Sequence, residues 1–68
     1  MAQFVVCIDN LKYPASLERG KLYRVLNDAP DCHGFLRVID ESGEDYLYPA
    51  ELFGSVTVPE DVAAQLAA

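Results

Sequence analysis

The residues of this chain that could bind a metal lie together in the loop before residue 34. Asp28, Asp31, Cys32 and His33 are close in sequence, and Cys7 could join them from an earlier strand. Structural zinc takes four ligands, usually as two close pairs at set spacing. This sequence offers one adjacent Cys-His pair and a distant cysteine, and a solvated acidic loop is the competing interpretation. A metal-binding or redox role for the Cys32-His33 loop is therefore kept as an alternative function, and no metal or cofactor is assigned.

Cys32 and His33 are also the residue types of a nucleophile and its base. Adjacent residues in a loop rarely point at each other, and the sequence shows neither a third group to orient the base nor an oxyanion pocket. We therefore expect no enzyme and assign no catalytic residue. Cys7 stands among strand-forming residues and is interpreted as a small buried hydrophobe.

The charge of the chain disfavours two classes of partner. Eleven acidic and five basic residues give a formal charge of −6, and the sequence pI is about 4.3. The few cations are scattered, whereas nucleic acid and anionic membranes are bound by concentrated basic surfaces. We expect no membrane partner, and a nucleic-acid-binding small barrel is kept only as a disfavoured alternative.

The start of the sequence and its cysteines predict a cytoplasmic protein. Met1-Ala2-Gln3 has no basic residue, and the apolar run from Phe4 to Ile8 is short and is stopped by Asp9, unlike an export signal. No apolar run approaches the roughly 18 residues that span a bilayer. In a reducing compartment the two cysteines are expected to be free thiols.

The stretch from Gly34 to Phe53 predicts a β-hairpin followed by one helical turn. Residues 35–40 and 45–48 are rich in strand formers, and Gly43 between them can adopt the left-handed conformation of a three-residue loop with a bulge. With Asp40 opposite Glu44, one face of the hairpin holds Leu36, Val38, Tyr46 and Tyr48. The other face holds Phe35, Arg37, Ile39 and Leu47. Both faces are apolar, so the sequence leaves open which one is the core.

Further elements are predicted on both sides of the hairpin. Strands are expected at residues 4–8, 21–26 and 55–58. Proline at the start and glycine at the end indicate a single helical turn over Pro49–Gly54. Pro59-Glu60-Asp61 opens a short helix with two acids at the positive end of its dipole. A helix this short is marginal alone and must dock on its own sheet or on a neighbour.

Three segments resemble parts of SH3 domains. Residues 4–9 resemble the opening segment of that family, residues 16–21 its diverging turn, and residues 48–53 the segment with its proline and short 3-10 turn. The resemblance covers residues 4–58. The chain also resembles short bacterial proteins of uncharacterised function that contain a Tyr-Pro pair. The resemblance to SH3 domains implies an all-β, SH3-like small barrel of about five strands (residues 1–58) with a 3-10 turn. The pattern that begins at Pro59 adds a short C-terminal helix (residues 59–68).

The positions of the aromatic residues that grip ligands in SH3 domains are occupied differently here. They hold Ile8, Asn10, Gly34 and Leu52, and the chain has no tryptophan. Flat aromatic rings are what grip a polyproline helix. The resemblance therefore implies the fold and not the binding of proline-rich peptides.

Surplus apolar surface on a small domain usually marks an interface. We therefore expect a small non-enzymatic protein–protein interaction module or accessory subunit, whose partner is another protein or a second copy of the chain in a homodimer. The predicted partner-binding residues are Phe35, Ile39 and Leu47 of the hairpin, Leu52 of the helical turn, and Val62 and Leu66 of the terminal helix.

Overall fold

A computed structural model describes residues 3–27 and 29–67. Its elements are β1 (Gln3–Cys7), β2 (Leu22–Val25), β3 (Phe35–Ile39), β4 (Asp45–Pro49), a 3-10 turn (Ala50–Leu52), β5 (Phe53–Ser55) and α1 (Glu60–Ala67). The strands form one antiparallel sheet in the order β4-β3-β2-β1-β5. The sheet is open, with β4 and β5 at its edges. The predicted all-β class, the 3-10 turn and the short C-terminal helix are confirmed.

The β3–β4 hairpin has the predicted register. The Asp40 N–H donates to the Glu44 carbonyl over 3.1 Å, and Val38 lies opposite Tyr46. Gly43 has a φ of +83°, the left-handed conformation that the bulged loop requires. The loop therefore determines which side chains of the two strands share a face.

The core lies on the face of the sheet that carries Leu36, Val38 and Tyr48. Tyr48 meets Tyr13 edge to face with 5.0 Å between ring centroids, a favourable aromatic geometry. The buried cluster consists of Val5, Cys7, Leu17, Tyr23, Val25, Leu36, Val38, Tyr48, Leu52 and Phe53. The face that the sequence left open is thus assigned, and we call the opposite face the outer face.

Helix α1 covers part of the outer face. Phe4 alternates with the core residues of β1 and lies opposite Arg24, so its side chain points away from the core, yet only 7% of it is exposed. Ala63 of α1 is buried as well. Leu66 and Phe4 line the same cavity of about 400 Å³, together with Leu22. The helix therefore docks on its own sheet over β1 and β2.

The last strand begins earlier than predicted. The structure places it at Phe53–Ser55, whereas the sequence predicted residues 55–58. Phe53 pairs with Cys7 directly after the 3-10 turn and directs its ring into the core. Gly54 lies opposite Val6, where an added Cβ would stand 3.3 Å from Val6 Cγ1. The glycine therefore permits a close approach within the sheet and does not end a helix.

Candidate protein-binding surface

An exposed row of side chains crosses three strands of the outer face. Leu26 follows β2 and donates its N–H to the Arg37 carbonyl of β3, and Arg37 lies opposite Leu47 of β4. Leu26 is 49% exposed and Leu47 is 48% exposed. Two leucines therefore stand in solvent on either side of one arginine. We define the outer-face surface as this row with Leu22, Phe35, Ile39, Val62 and Leu66.

Five of the six predicted partner-binding residues remain accessible to some degree. Leu47, Val62 and Leu66 are exposed, and Phe35 and Ile39 are half-buried. The exception is Leu52, which is 7% exposed and belongs to the core cluster. Its assignment to the surface is wrong because the 3-10 turn directs this side chain inward, just before Phe53.

Leu22 and Leu26 belong to the surface although the sequence did not select them. In this strand leucine and arginine alternate with lysine, tyrosine and valine, so neither face is cleanly polar. The deciding fact is the pairing of Val25 with the fully buried Val38, which turns Leu22 and Leu26 outward. The sequence left the core face of β3 open. Knowledge of that face would have shown that Leu22 and Leu26 point outward.

Asn27 fixes the position of Leu26 at the end of β2. Its Oδ1 accepts the Arg37 N–H at 2.8 Å, and its Nδ2 donates to the Ala29 carbonyl at 2.8 Å. The asparagine side chain thus takes the place of the next backbone partner in the ladder. This local hydrogen bonding is a common use of asparagine where a strand gives way to a loop.

The charge of Arg37 is shared with a neighbouring carboxylate. Arg37 Nη1 lies 2.7 Å from Asp45 Oδ2, and this hydrogen bond is the main cause that lowers the pKa of Asp45. Both side chains are exposed, so the pair contributes little to stability. Its effect is to tie the Arg37 side chain of β3 to the Asp45 side chain of β4. Arginine flanked by apolar groups is typical of protein interfaces.

The acidic tip of the hairpin is held by internal contacts. Asp40 is buried and accepts hydrogen bonds from the Tyr48 hydroxyl at 2.7 Å and from the Ser42 N–H at 2.9 Å. The Ser16 hydroxyl lies 2.9 Å from the Tyr48 hydroxyl. The tip is therefore joined to the loop between β1 and β2 through Tyr48.

A second tyrosine completes this connection. The Tyr23 hydroxyl donates to Glu41 Oε2 at 2.6 Å and accepts the Glu18 N–H at 2.6 Å. Glu41 also pairs with Lys21 Nζ at 2.6 Å. Burial, and then the hydrogen bond to Glu41, raise the pKa of Tyr23. This phenol therefore keeps its proton and acts as a structural donor.

The loop before β3 is organised by Asp31. Its Oδ1 accepts the N–H groups of His33 and Phe35, each at 2.9 Å. These bonds, that from Phe35 first, lower the pKa of Asp31. The carboxylate is thus committed to the turn that leads into β3, as is usual for aspartate in turns.

The candidate metal ligands are not brought together. Cys32 is exposed, whereas Cys7 is fully buried in the core within β1, and both thiols are free. Asp28 lies outside the described residues. Within residues 3–27 and 29–67, no group of three or more His, Cys, Asp or Glu side chains could hold a metal ion.

Comparison with known proteins gives no further guide to this surface. The chain matches no protein-family model, and no curated protein or solved structure is significantly similar to it. None of the helical segments in the described part of the chain has the length and apolarity needed to cross a membrane.

Proposed function

We propose that this chain is a small non-enzymatic interaction module or accessory subunit of the cytoplasm. It binds another protein, or a second copy of itself, through the outer-face surface. The observation that carries the proposal is the row formed by Leu26, Arg37 and Leu47, in which both leucines are about half exposed. Contiguous apolar surface with a central arginine is more typical of an interface than of a face that meets only water.

The proposal includes an SH3-like arrangement of the five strands, in an open sheet and not in the closed barrel that the sequence predicted. It is supported by the hairpin register, by the 3-10 turn that follows Tyr48-Pro49, and by the return of β5 to β1. Leu52, which holds a position of a ligand-gripping aromatic residue in SH3 domains, is buried here. The proposed binding surface is therefore the outer face and not a proline-peptide groove.

The test is the double variant Leu26→Ser with Leu47→Ser. Both side chains are about half exposed, so the free energy of unfolding is expected to fall by no more than about 1 kcal/mol. Binding is expected to weaken by about tenfold or more, since burial of the exposed half of each leucine contributes roughly 0.75 kcal/mol or more, which is about 1.5 kcal/mol for the two. Sedimentation equilibrium measures self-association, and quantitative affinity capture compares partners retained by the two proteins.

The matched control is Leu11→Ser in the loop after β1. Leu11 is 87% exposed and lies outside the outer-face surface, so this change is expected to leave binding unaltered. Unfolding of the double variant would place the two leucines in the core and contradict the proposal. So would a monomeric wild-type protein that retains no partner beyond those retained by the double variant.

A further inference from the structure

Strand β4 has one side whose backbone groups are free to pair. In an antiparallel pair, alternate residues bond to the neighbouring strand and the residues between them direct N–H and C=O the other way. The bond from the Asp40 N–H to the Glu44 carbonyl and the bond from the Ala50 N–H to the Gly34 carbonyl, at 3.1 and 2.9 Å, fix this alternation at both ends of the hairpin. Even-numbered residues of β4 therefore bond to β3.

The odd-numbered residues of β4 direct their backbone groups to the open edge. Leu47 is at the centre, and its N–H and C=O bond to no other residue in the described part of the chain. Asp45 lies on one side of it. On the other side Pro49, which has no N–H, can only accept. The edge therefore offers a short set of donors and acceptors centred on Leu47.

We propose that an extended, lysine-rich segment of the partner protein adds to the sheet at β4 as a further antiparallel strand. This inference rests on the proposed function and names the kind of partner. The segment bonds to the Leu47 backbone and sets an apolar side chain beside Leu47, which lengthens the row Leu26–Arg37–Leu47 by one position. Strand addition of this kind takes its affinity from backbone bonds and its specificity from alternate side chains.

The charges around β4 select a basic segment. Exposed Glu44 stands at one end of the strand, next to Asp45, whose carboxylate is already paired with Arg37. Exposed Glu51 follows the strand at its other end. Two antiparallel copies of β4 centred on Leu47 would bring Glu44 of one copy close to Glu51 of the other, within two chains that each carry −6. Like charges disfavour that pairing, whereas lysines on an incoming strand meet opposite charge.

Residue-resolved amide hydrogen exchange tests the proposal. The probe is a synthetic peptide, acetylated and amidated, in which valine alternates with lysine. At saturation the exchange rate of the Leu47 amide is expected to fall by about tenfold or more, because the amide gains a hydrogen bond. The Tyr46 amide, already bonded to β3, is expected to change little. A peptide with glutamate in place of lysine is the matched control and is expected to give no slowing.

Two further measurements separate the backbone edge from the side chain. Leu47→Pro removes the outward N–H but no hydrogen bond of the hairpin. Proline is tolerated at such a position of an edge strand. The change is expected to weaken peptide binding about tenfold. Leu47→Ala keeps the N–H and is its control. N-methylation of the central valines of the peptide gives the same test without any change to the protein.

Four results would overturn the proposal. One is a lysine peptide that leaves exchange at Leu47 unchanged, and another is equal binding to Leu47→Pro and Leu47→Ala. The third is slowing at Leu47 that rises with protein concentration without peptide, which would identify a second copy as the occupant. The fourth is partner binding that is lost in the double serine variant while the Leu47 amide of the wild-type protein still exchanges freely with the partner bound. That result would overturn the added strand and leave the proposed function intact.

Discussion

Tyr48 connects the core of this protein to the polar tip of its hairpin. Its ring is buried against Tyr13 and Phe53, while its hydroxyl donates to the buried carboxylate of Asp40. A buried hydroxyl without a partner is costly, and so is a buried carboxylate. The buried pair is stabilised because the Tyr48 hydroxyl donates to Asp40 and the Ser42 N–H supplies a second hydrogen bond to the same carboxylate.

Replacement of Tyr48 by phenylalanine is expected to lower the free energy of unfolding by about 1–3 kcal/mol. The variant keeps the ring but leaves Asp40 without one of its donors. Urea denaturation measures the change. Tyr46→Phe is the control, since Tyr46 is half exposed and its hydroxyl donates to the exposed Glu44 side chain at the surface. The cost of this change is expected to be about 0.5 kcal/mol or less. Equal costs for the two variants would contradict the role given to Tyr48.

Asp40 makes stability depend on pH. Burial alone raises the pKa of this carboxyl, but hydrogen bonds from the Ser42 hydroxyl, Tyr48 and the Ser42 amide outweigh burial and hold its pKa below the ordinary 3.8. The folded protein therefore binds fewer protons here than the unfolded chain. The contribution is fully present above the ordinary pKa and is lost as pH falls through the lowered value.

We therefore expect acidification from about pH 5 to about pH 3 to lower the free energy of unfolding less in Asp40→Asn than in the wild type. Urea denaturation at several pH values gives the two slopes. The asparagine variant starts from a lower stability at neutral pH, and the gap between the proteins narrows as pH falls. Parallel slopes would mean that other carboxyls account for the whole pH dependence.

At the level of the elements, the hairpin was the most predictable part of the chain. The glycine-containing loop before Asp45 specifies both the turn and the register, so side-chain faces follow by alternation. The sequence could not assign those faces to core or surface, because the face that contains Leu36 and the face that contains Phe35 are equally apolar. It depends on Leu17, Leu52 and Phe53, which reach the core from distant segments.

The surface followed from the sequence only in part, for the same reason. Alternation placed Ile39 and Leu47 together, but the membership of Leu26 depends on pairing between β2 and β3, which a local pattern does not specify. Leu52 was misassigned because a 3-10 turn has no apolar stripe long enough to reveal its buried side. The sequence also did not predict that β4 is an edge strand, because the order of strands in the sheet decides which strands lie at its edges.

Helix α1 is expected to be separable from the sheet. Ala63→Asp would place a charge at a buried position, so we expect the helix to detach, Phe4 to become exposed, and stability to fall by about 2 kcal/mol. Far-ultraviolet circular dichroism would show a smaller helical signal with the β signal retained, because the core cluster contains no residue of α1. Ala64→Asp, at an exposed position, is the control. Loss of all structure in Ala63→Asp would contradict a separable helix.

At the scale of the whole molecule, the net negative charge counteracts the tendency of the exposed apolar surface to associate. The chain carries eleven acids against five bases, while exposed Arg24 and Arg37 stand on the outer face among its leucines. Net charge keeps copies of a small protein apart in solution. The overall −6 therefore protects the exposed leucines from indiscriminate association and leaves them available to a partner of opposite charge.

The position of β1 between β2 and β5 also has a consequence for how the chain folds. Strands β1, β2 and β3 each pair with the next strand along the chain, so these three pairings can form by successive short-range closures. The remaining pairing, of Val5 with Ser55, joins residues far apart in sequence and raises the contact order, which slows folding. During synthesis β1 must therefore wait, with one side unpaired, until β5 has been made. We infer that docking of this last strand is the slow step of folding.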